Sequence, residues 1–158
     1  MQAPIFLKHV SHYVIYKRNA KESNMIHELE MVARLILGFV LSGAVGLERE
    51  ASLKPAGLRT HILVGLGATL LTILSLHAFP GSEPSRVAAS IIVGIGFLGA
   101  GTIVKTEEKV IGLTTAATLW IVSSIGVAVG AGFYLLAVVA TLLAFFVLRL
   151  TIFEKTLR

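Results

Sequence analysis

The chain has 158 residues, 55% of them hydrophobic and 15% charged, with a mean hydropathy of +0.84, a formal charge of +5 and no cysteine. A soluble fold of this size would be left with large exposed apolar patches, and without thiols there can be no disulfides, thiol redox chemistry or thiolate metal site. Basic residues gather at the ends of apolar runs, where anionic lipid and membrane orientation account for them, so nucleic acid is excluded as a partner.

Residues 1–24 are basic and rather aromatic (Phe6, Tyr13, Tyr16), show no clear periodicity, and lack the apolar core and small-residue cleavage site of a signal peptide. Met25 opens a cleaner run, Met-Ile-His-Glu-Leu-Glu-Met. Translation is therefore expected to start at Met25, the alternative being that 1–24 form a flexible or interfacial tail. The first crossing is expected at about Met31–Leu47, with Arg34 snorkelling toward an interface and Glu30, one turn away, as its partner. A second, about His61–Phe79, carries no Asp, Glu, Lys or Arg and is stopped by Pro80, Gly81 and Pro84. A third, Val87–Val104, lies between Arg86 and Lys105.

From Val110 to Leu148 the chain then runs 39 residues without a charge. A bilayer core about 30 Å thick needs roughly 20 apolar residues per helix, so this run supplies two crossings, about Leu113–Val129 and Phe133–Leu150, turning at Gly130, Ala131 and Gly132. The expected fold is an all-α membrane protein of about five transmembrane helices. Its parts are an N-terminal tail at 1–24, a transmembrane domain at 25–150 and a short tail at 151–158.

Orientation follows from lysine and arginine in short loops. Arg49, Lys54 and Arg59, then Lys105 and Lys109, then Arg149, Lys155 and Arg158 fall on one side, against Arg86 on the other, apart from the N-terminal Lys8, Lys17, Arg18, Lys21 and Arg34. The C-terminus is expected to be cytoplasmic and the N-terminus outside.

Gly94-Ile-Gly-Phe-Leu-Gly99 matches the spacing of a dinucleotide-binding loop. That loop needs a strand before it, a helix after it and an acidic residue about twenty positions on, where this chain has Ile121 and Val122. Glycines inside an uncharged apolar segment instead let another backbone approach, so Gly94, Gly96, Gly99 and Gly101 are read as helix-packing positions. Gly38, Ser42 and Gly46 in the first helix, and Gly126 and Gly130 in the fourth, repeat at four-residue spacing and are read the same way. A broken helix or a substrate path lined by carbonyls is the competing reading.

Charged and hydroxyl side chains concentrate at the basic end. Across the hairpin that joins the first two helices, Glu48 and Arg49 are expected near Arg59 and Thr60, and Thr114 or Thr115 is expected to cap the fourth helix. One reading is an interfacial salt-bridge network; the other is a partner or ion site with hard oxygen ligands from Glu48 and Glu50 and anion contacts from the arginines. His61 and His77 lie sixteen positions apart, toward opposite ends of one helix, so each is read as an interfacial hydrogen-bonding residue and not as half of a metal site. Trp120 reads as packing or an interfacial aromatic. No nucleophile, activated water or ligand set assembles, so an enzyme is not expected and no cofactor is assigned.

Four ordered motifs nevertheless carry a resemblance: Gly46-Leu-Glu-Arg-Glu50, Lys54-Pro-Ala-Gly-Leu-Arg-Thr-His61, Gly94-Ile-Gly-Phe-Leu-Gly-Ala-Gly-Thr102 and Gly112-Leu-Thr-Thr-Ala-Ala-Thr-Leu-Trp120. Over about Met25–Leu150 the chain resembles the MgtC/SapB family of bacterial inner-membrane proteins, in its shorter form without a C-terminal soluble domain. The resemblance places Glu48, Arg49, Arg59, Thr60, Thr114, Thr115, Trp120 and the glycines of the third helix at the family's characteristic positions. Ser90 departs from it, standing where the family carries glutamine. The resemblance implies a multi-pass protein of the bacterial inner membrane linked to low-magnesium adaptation, with magnesium as its one implied ion.

Two functions stay open. One is a non-catalytic modulator that docks a membrane partner, such as the ATP synthase the resemblance implies, or a second copy of itself. The other is a transporter or channel for magnesium or another cation. With no Asp or Glu in any expected membrane core, the residues favour the first.

Overall fold

A computed structural model describes residues 5–79, 81 and 83–150, with side chains from Asn24 onward. The expected tail at 151–158 lies outside the described residues, as do residues 1–4. The chain divides into two compact units, Met1–Ala33 and Arg34–Arg158. In the first, the backbone is helical from Ile5, where the side-chain pattern had offered no periodicity; Met25, Ile26 and Leu29 are exposed.

The second unit holds the rest of helix α1 (Ile5–Ala51), followed by α2 (Leu58–His77), α3 (Pro84–Gly101), α4 (Leu113–Gly130) and α5 (Tyr134–Arg149). The fold is all-α and membrane-spanning. Asn24–Ala51 within α1, together with α2, α3 and α4, are long and apolar enough to cross a bilayer, while α5 is a shorter apolar helix of 16 residues. Outward-facing Phe97, Leu135 and Leu142 are 82%, 79% and 65% exposed, a surface that suits lipid and not water.

The third segment departs from its expected end. Helix α3 stops at Gly101, where the Thr102 amide and hydroxyl both donate to the Gly99 carbonyl. Val104 instead begins a two-stranded antiparallel ribbon, β1 (Val104–Lys105) and β2 (Val110–Ile111), with Val104 opposite Ile111 and Lys105 opposite Val110. Gly112 then turns the chain into α4 with φ +94, hard against the Thr102 carbonyl, where any side chain would overlap it.

Helix α4 is the most buried span of the unit, and close approach between small residues on both sides of α2 sets the packing. A Cβ added at Gly126 of α4 would overlap the Gly65 carbonyl, and one at Gly130 would come 2.7 Å from the Thr69 carbonyl. On the other side, Gly38 of α1 abuts Thr69, Ser42 abuts Gly65, and Gly46 abuts Leu58 and His61. Lipid tails are as apolar as leucine, so helices associate in a bilayer chiefly by packing of this kind. Val45 and Val122 meet in one buried cluster, Ala56, Ile95 and Leu119 in a second, and Ile125, Val129 and Ala137 in a third.

Hydroxyls inside this core bond to their own helices. Ser42 donates to Gly38, Thr69 to Gly65, Thr72 to Ala68, Thr118 to Thr115 and Thr141 to Ala137. Such back-bonding lets a hydroxyl sit in an apolar interior at little cost. Among the described residues, no buried side-chain nitrogen or oxygen lacks a partner.

At the far end the turn expected at Gly130–Gly132 forms as a Schellman motif: the Phe133 amide donates to Ala128 and the Gly132 amide to Val129, with Gly132 at φ +86. Arg34 reaches this turn. Its Nη1 donates to the Gly130 carbonyl at 2.8 Å and its Nε to the Tyr134 hydroxyl at 3.0 Å, placing a cation on the negative end of α4.

Candidate functional site

The opposite end of the bundle gathers the charged motif residues. Helix α1 ends there in a second Schellman motif, the Lys54 amide donating to Arg49 and the Leu53 amide to Glu50. The position that usually takes glycine is held by Leu53, at φ +51 and 93% exposed. Ala56 then tucks into the cluster with Ile95 and Leu119, which fixes the loop against α3 and α4.

Glu48 and Arg49 are 9% and 3% exposed and pair with each other, Arg49 Nε and Nη2 both donating to Glu48 Oε2. The remaining Glu48 oxygen accepts from the Ser52 hydroxyl at 2.9 Å. Glu50 faces the other way, its Oε2 accepting the Leu58 amide at 3.0 Å and so placing a carboxylate on the positive end of α2. Gly57 makes that reach feasible, because a Cβ there would overlap the same Glu50 oxygen.

Arg59 and Thr60 are exposed, and among the described residues Arg59 makes no ion pair with Glu48 or Glu50. The hairpin brings Gly46 against Leu58 and His61 and Glu50 against Gly57 and Leu58, so the two motifs meet, with Arg59 and Thr60 outside the contact. Arg59 and Thr60 lie on the outer face of the first turn of α2, whereas the same turn sends His61 inward. His61 is also a correction: it is fully buried, not interfacial, with Nδ1 2.8 Å from the Gly57 carbonyl and Nε2 3.0 Å from the Thr118 hydroxyl. The close approach of Gly46 creates the space it fills. His77 is exposed, as an interfacial residue would be.

Neither Thr114 nor Thr115 caps α4. Gly112 holds the N-cap position with no side-chain bond, since the chain must pass too close to Thr102 for a hydroxyl-bearing residue there. Thr114 is exposed and lines a cleft between α4 and α5, whereas Thr115 is 2% exposed and its carbonyl accepts from Thr118. Trp120 is 48% exposed beside Ala88, Ile92 and Ile95 of α3.

Among the small-residue positions, Gly38, Ser42, Gly46, Gly126 and Gly130 all lie against α2, and Gly99 lies against Ala116 of α4. Gly94, Gly96 and Gly101 have nothing within 4 Å of an added Cβ. Sequence inspection missed Gly65 and Gly67 on α2, although Gly65 is the residue on which both α1 and α4 converge.

As to metal, Glu48 is engaged by Arg49 and Ser52, and Glu50 by the end of α2. Among the described residues, no three His, Asp or Glu side chains converge.

The sequence profile of the MgtC family matches residues 35–155, which takes in all four motifs from Gly46 to Trp120. The chain belongs to the MgtC family. Among relatives of this MgtC-family chain, YhiD of Escherichia coli K12, named as a proposed magnesium transporter, is 41% identical over 128 residues, covering 76% of this chain and 60% of the relative. Protein MgtC of Brucella abortus is 50% identical over 103 residues, 65% of this chain and 43% of the relative. An uncharacterized protein of Synechocystis is 42% identical over 114 residues, 72% of this chain and 49% of the relative. The MgtC-family chain thus spans about half the length of these relatives. No solved structure matches it.

Proposed function

We propose that this is a non-catalytic, multi-pass protein of the bacterial inner membrane that modulates magnesium homeostasis by docking a membrane partner. The observation that carries this reading is the contrast between a polar interior that is internally spent and a helix that is barely covered. Buried Glu48, exposed Glu50 at the helix end and the core hydroxyls all bond within the chain, and Gly38, Gly46, Gly126 and Gly130 bring α1 and α4 close against α2. Helix α3, by contrast, is 11% buried and turns Val93, Gly96, Phe97 and Ala100 outward, a small and apolar face suited to another transmembrane helix. An ion path would need unwound backbone or an intramembrane ionisable residue open to the ion, whereas Arg34, Glu48, Arg49 and His61 within the spans all bond inside the chain. The ATP synthase is the partner the family resemblance suggests, and a second copy of the chain is the other.

Magnesium transport is the second reading, favoured by the name of the Escherichia coli relative. Purified protein in liposomes loaded with a magnesium-sensitive dye separates the two, together with a photo-crosslinker at Val93 in whole membranes. The modulator reading expects no saturable influx and a discrete membrane-protein adduct through Val93. Saturable influx above empty liposomes would overturn it.

A further inference from the structure

Between α2 and α3 lies a cleft of about 640 Å³ whose walls are apolar. Leu63, Gly67 and Leu71 line it from α2, and Ser90, Gly94 and Leu98 from α3. Each triplet steps by four residues, so each forms a single stripe on its helix, and each stripe has glycine at its centre. These glycines are not the close-approach type that joins α2 to α1 and α4: an added Cβ at Gly67 or Gly94 meets nothing within 4 Å. They keep the cleft open.

An open apolar groove on a lipid-facing helix gains dispersion contacts from hydrocarbon lying in it, and of the two hydroxyls that line it Ser90 is bonded to the Arg86 carbonyl and Ser123 is almost wholly buried, so little in the cleft asks for a polar guest. What fits is a flexible hydrocarbon chain. Its headgroup can be read from the mouth. Arg86 stands four residues before Ser90, in line with the α3 stripe and next to the lining residue Val87; it is exposed and makes no ion pair among the described residues. The first amides of α3 add partial positive charge at the same point, and Glu83, exposed just before the helix, opposes them.

We propose that the α2–α3 cleft holds one acyl chain of an anionic phospholipid from the surrounding bilayer, with Arg86 contacting the phosphate. Gly67 and Gly94 are the residues that make room for the chain, and Arg86 is the residue that selects the headgroup.

Native mass spectrometry of the detergent-purified protein, titrated with phosphatidylglycerol and separately with phosphatidylcholine, tests this. Wild type should retain phosphatidylglycerol in preference to phosphatidylcholine. Arg86→Gln should bring the two lipids to parity by weakening phosphatidylglycerol roughly fivefold, as expected for one cation at the membrane surface. Gly94→Leu should fill the cleft and reduce both lipids, with an unchanged unfolding temperature because the new side chain enters open space. Gly67→Leu does the same from the opposite wall if Gly94→Leu misfolds. Equal retention of the two lipids by wild type, or undiminished phosphatidylglycerol in a folded cleft-filled variant, would overturn the proposal. So would a Gly94→Leu variant that changes the oligomer mass while keeping its lipid, since the cleft would then belong to a second copy of the chain.

Discussion

His61 Nε2 lies 3.0 Å from the Thr118 hydroxyl, joining α2 to α4 through an imidazole that has no contact with solvent. The Gly57 carbonyl at Nδ1 can only accept, so Nδ1 carries a proton. In a neutral ring Nε2 must then accept from Thr118, so the single hydroxyl hydrogen is shared between Nε2 and the Thr115 carbonyl 2.7 Å away. Thr118→Val keeps the shape and removes the link, and should cost about 1 kcal/mol in denaturant unfolding in detergent. His61→Ala, which also opens a cavity, should cost about 3 kcal/mol. A Thr118→Val protein as stable as wild type would mean that the contact contributes nothing.

The glycines divide into two sets with opposite expectations. Gly126→Ala pushes a methyl group into the Gly65 carbonyl and should destabilise by about 2 kcal/mol, because backbone cannot move aside as a side chain can. Gly96→Ala enters open space and should be neutral or slightly stabilising. Parallel unfolding of the two variants checks this; equal effects would count against the packing of α4 on α2.

Much of this arrangement was legible from residue order. Charges and prolines marked the helix boundaries from α2 onward to within a few residues, because a bilayer penalises every unpaired backbone group outside a helix. The four-residue spacing of Gly38, Ser42 and Gly46 likewise pointed to a packed face. Spacing could not tell which neighbour a glycine faces, so Gly94 and Gly126 looked alike although one borders a cleft and the other a backbone. Nor could it separate Arg59, Thr60 and His61. Three consecutive residues at a helix start point in three directions, and only the depth of the Gly46 contact turns His61 inward. The ribbon between α3 and α4 was hidden by its brevity, at two residues per strand.

Glu48 and Arg49 form a pair buried on both sides, so removing one charge strands the other. Glu48→Ala should lose about 3 kcal/mol of stability, and Glu48→Gln less, because the amide oxygen still accepts from Arg49 while its NH2 donates to the Ser52 hydroxyl. Differential unfolding of the two variants is the check. A flux or docking defect in Glu48→Ala then needs the Gln variant beside it before Glu48 is assigned to a site.

Leu53 adopts φ +51, a region that costs an L-residue about 1–2 kcal/mol, with its side chain 93% exposed and so nothing inside the chain to offset it. Leu53→Gly relieves that strain, loses some ground to backbone entropy, and should gain about 0.5–1 kcal/mol net. A loss of stability on unfolding would indicate that the leucine makes contacts that hold the loop.

The contact between Glu50 and the start of α2 couples two residues that sequence inspection treated separately. Gly57→Ala alone places a methyl group on the Glu50 carboxylate, forcing it away from the Leu58 amide, and should cost about 2 kcal/mol: roughly 1 for the lost cap and the remainder for the clash. Glu50→Ala alone should cost about 1 kcal/mol, the cap and its charge on the helix end. In the double variant there is no carboxylate left to displace, so the cost should stay near that of Glu50→Ala and the two effects should fall well short of adding. Additive losses in this double-mutant cycle, read by unfolding in detergent, would mean that Glu50 does not sit on the end of α2 and that Gly57 serves the turn for another reason.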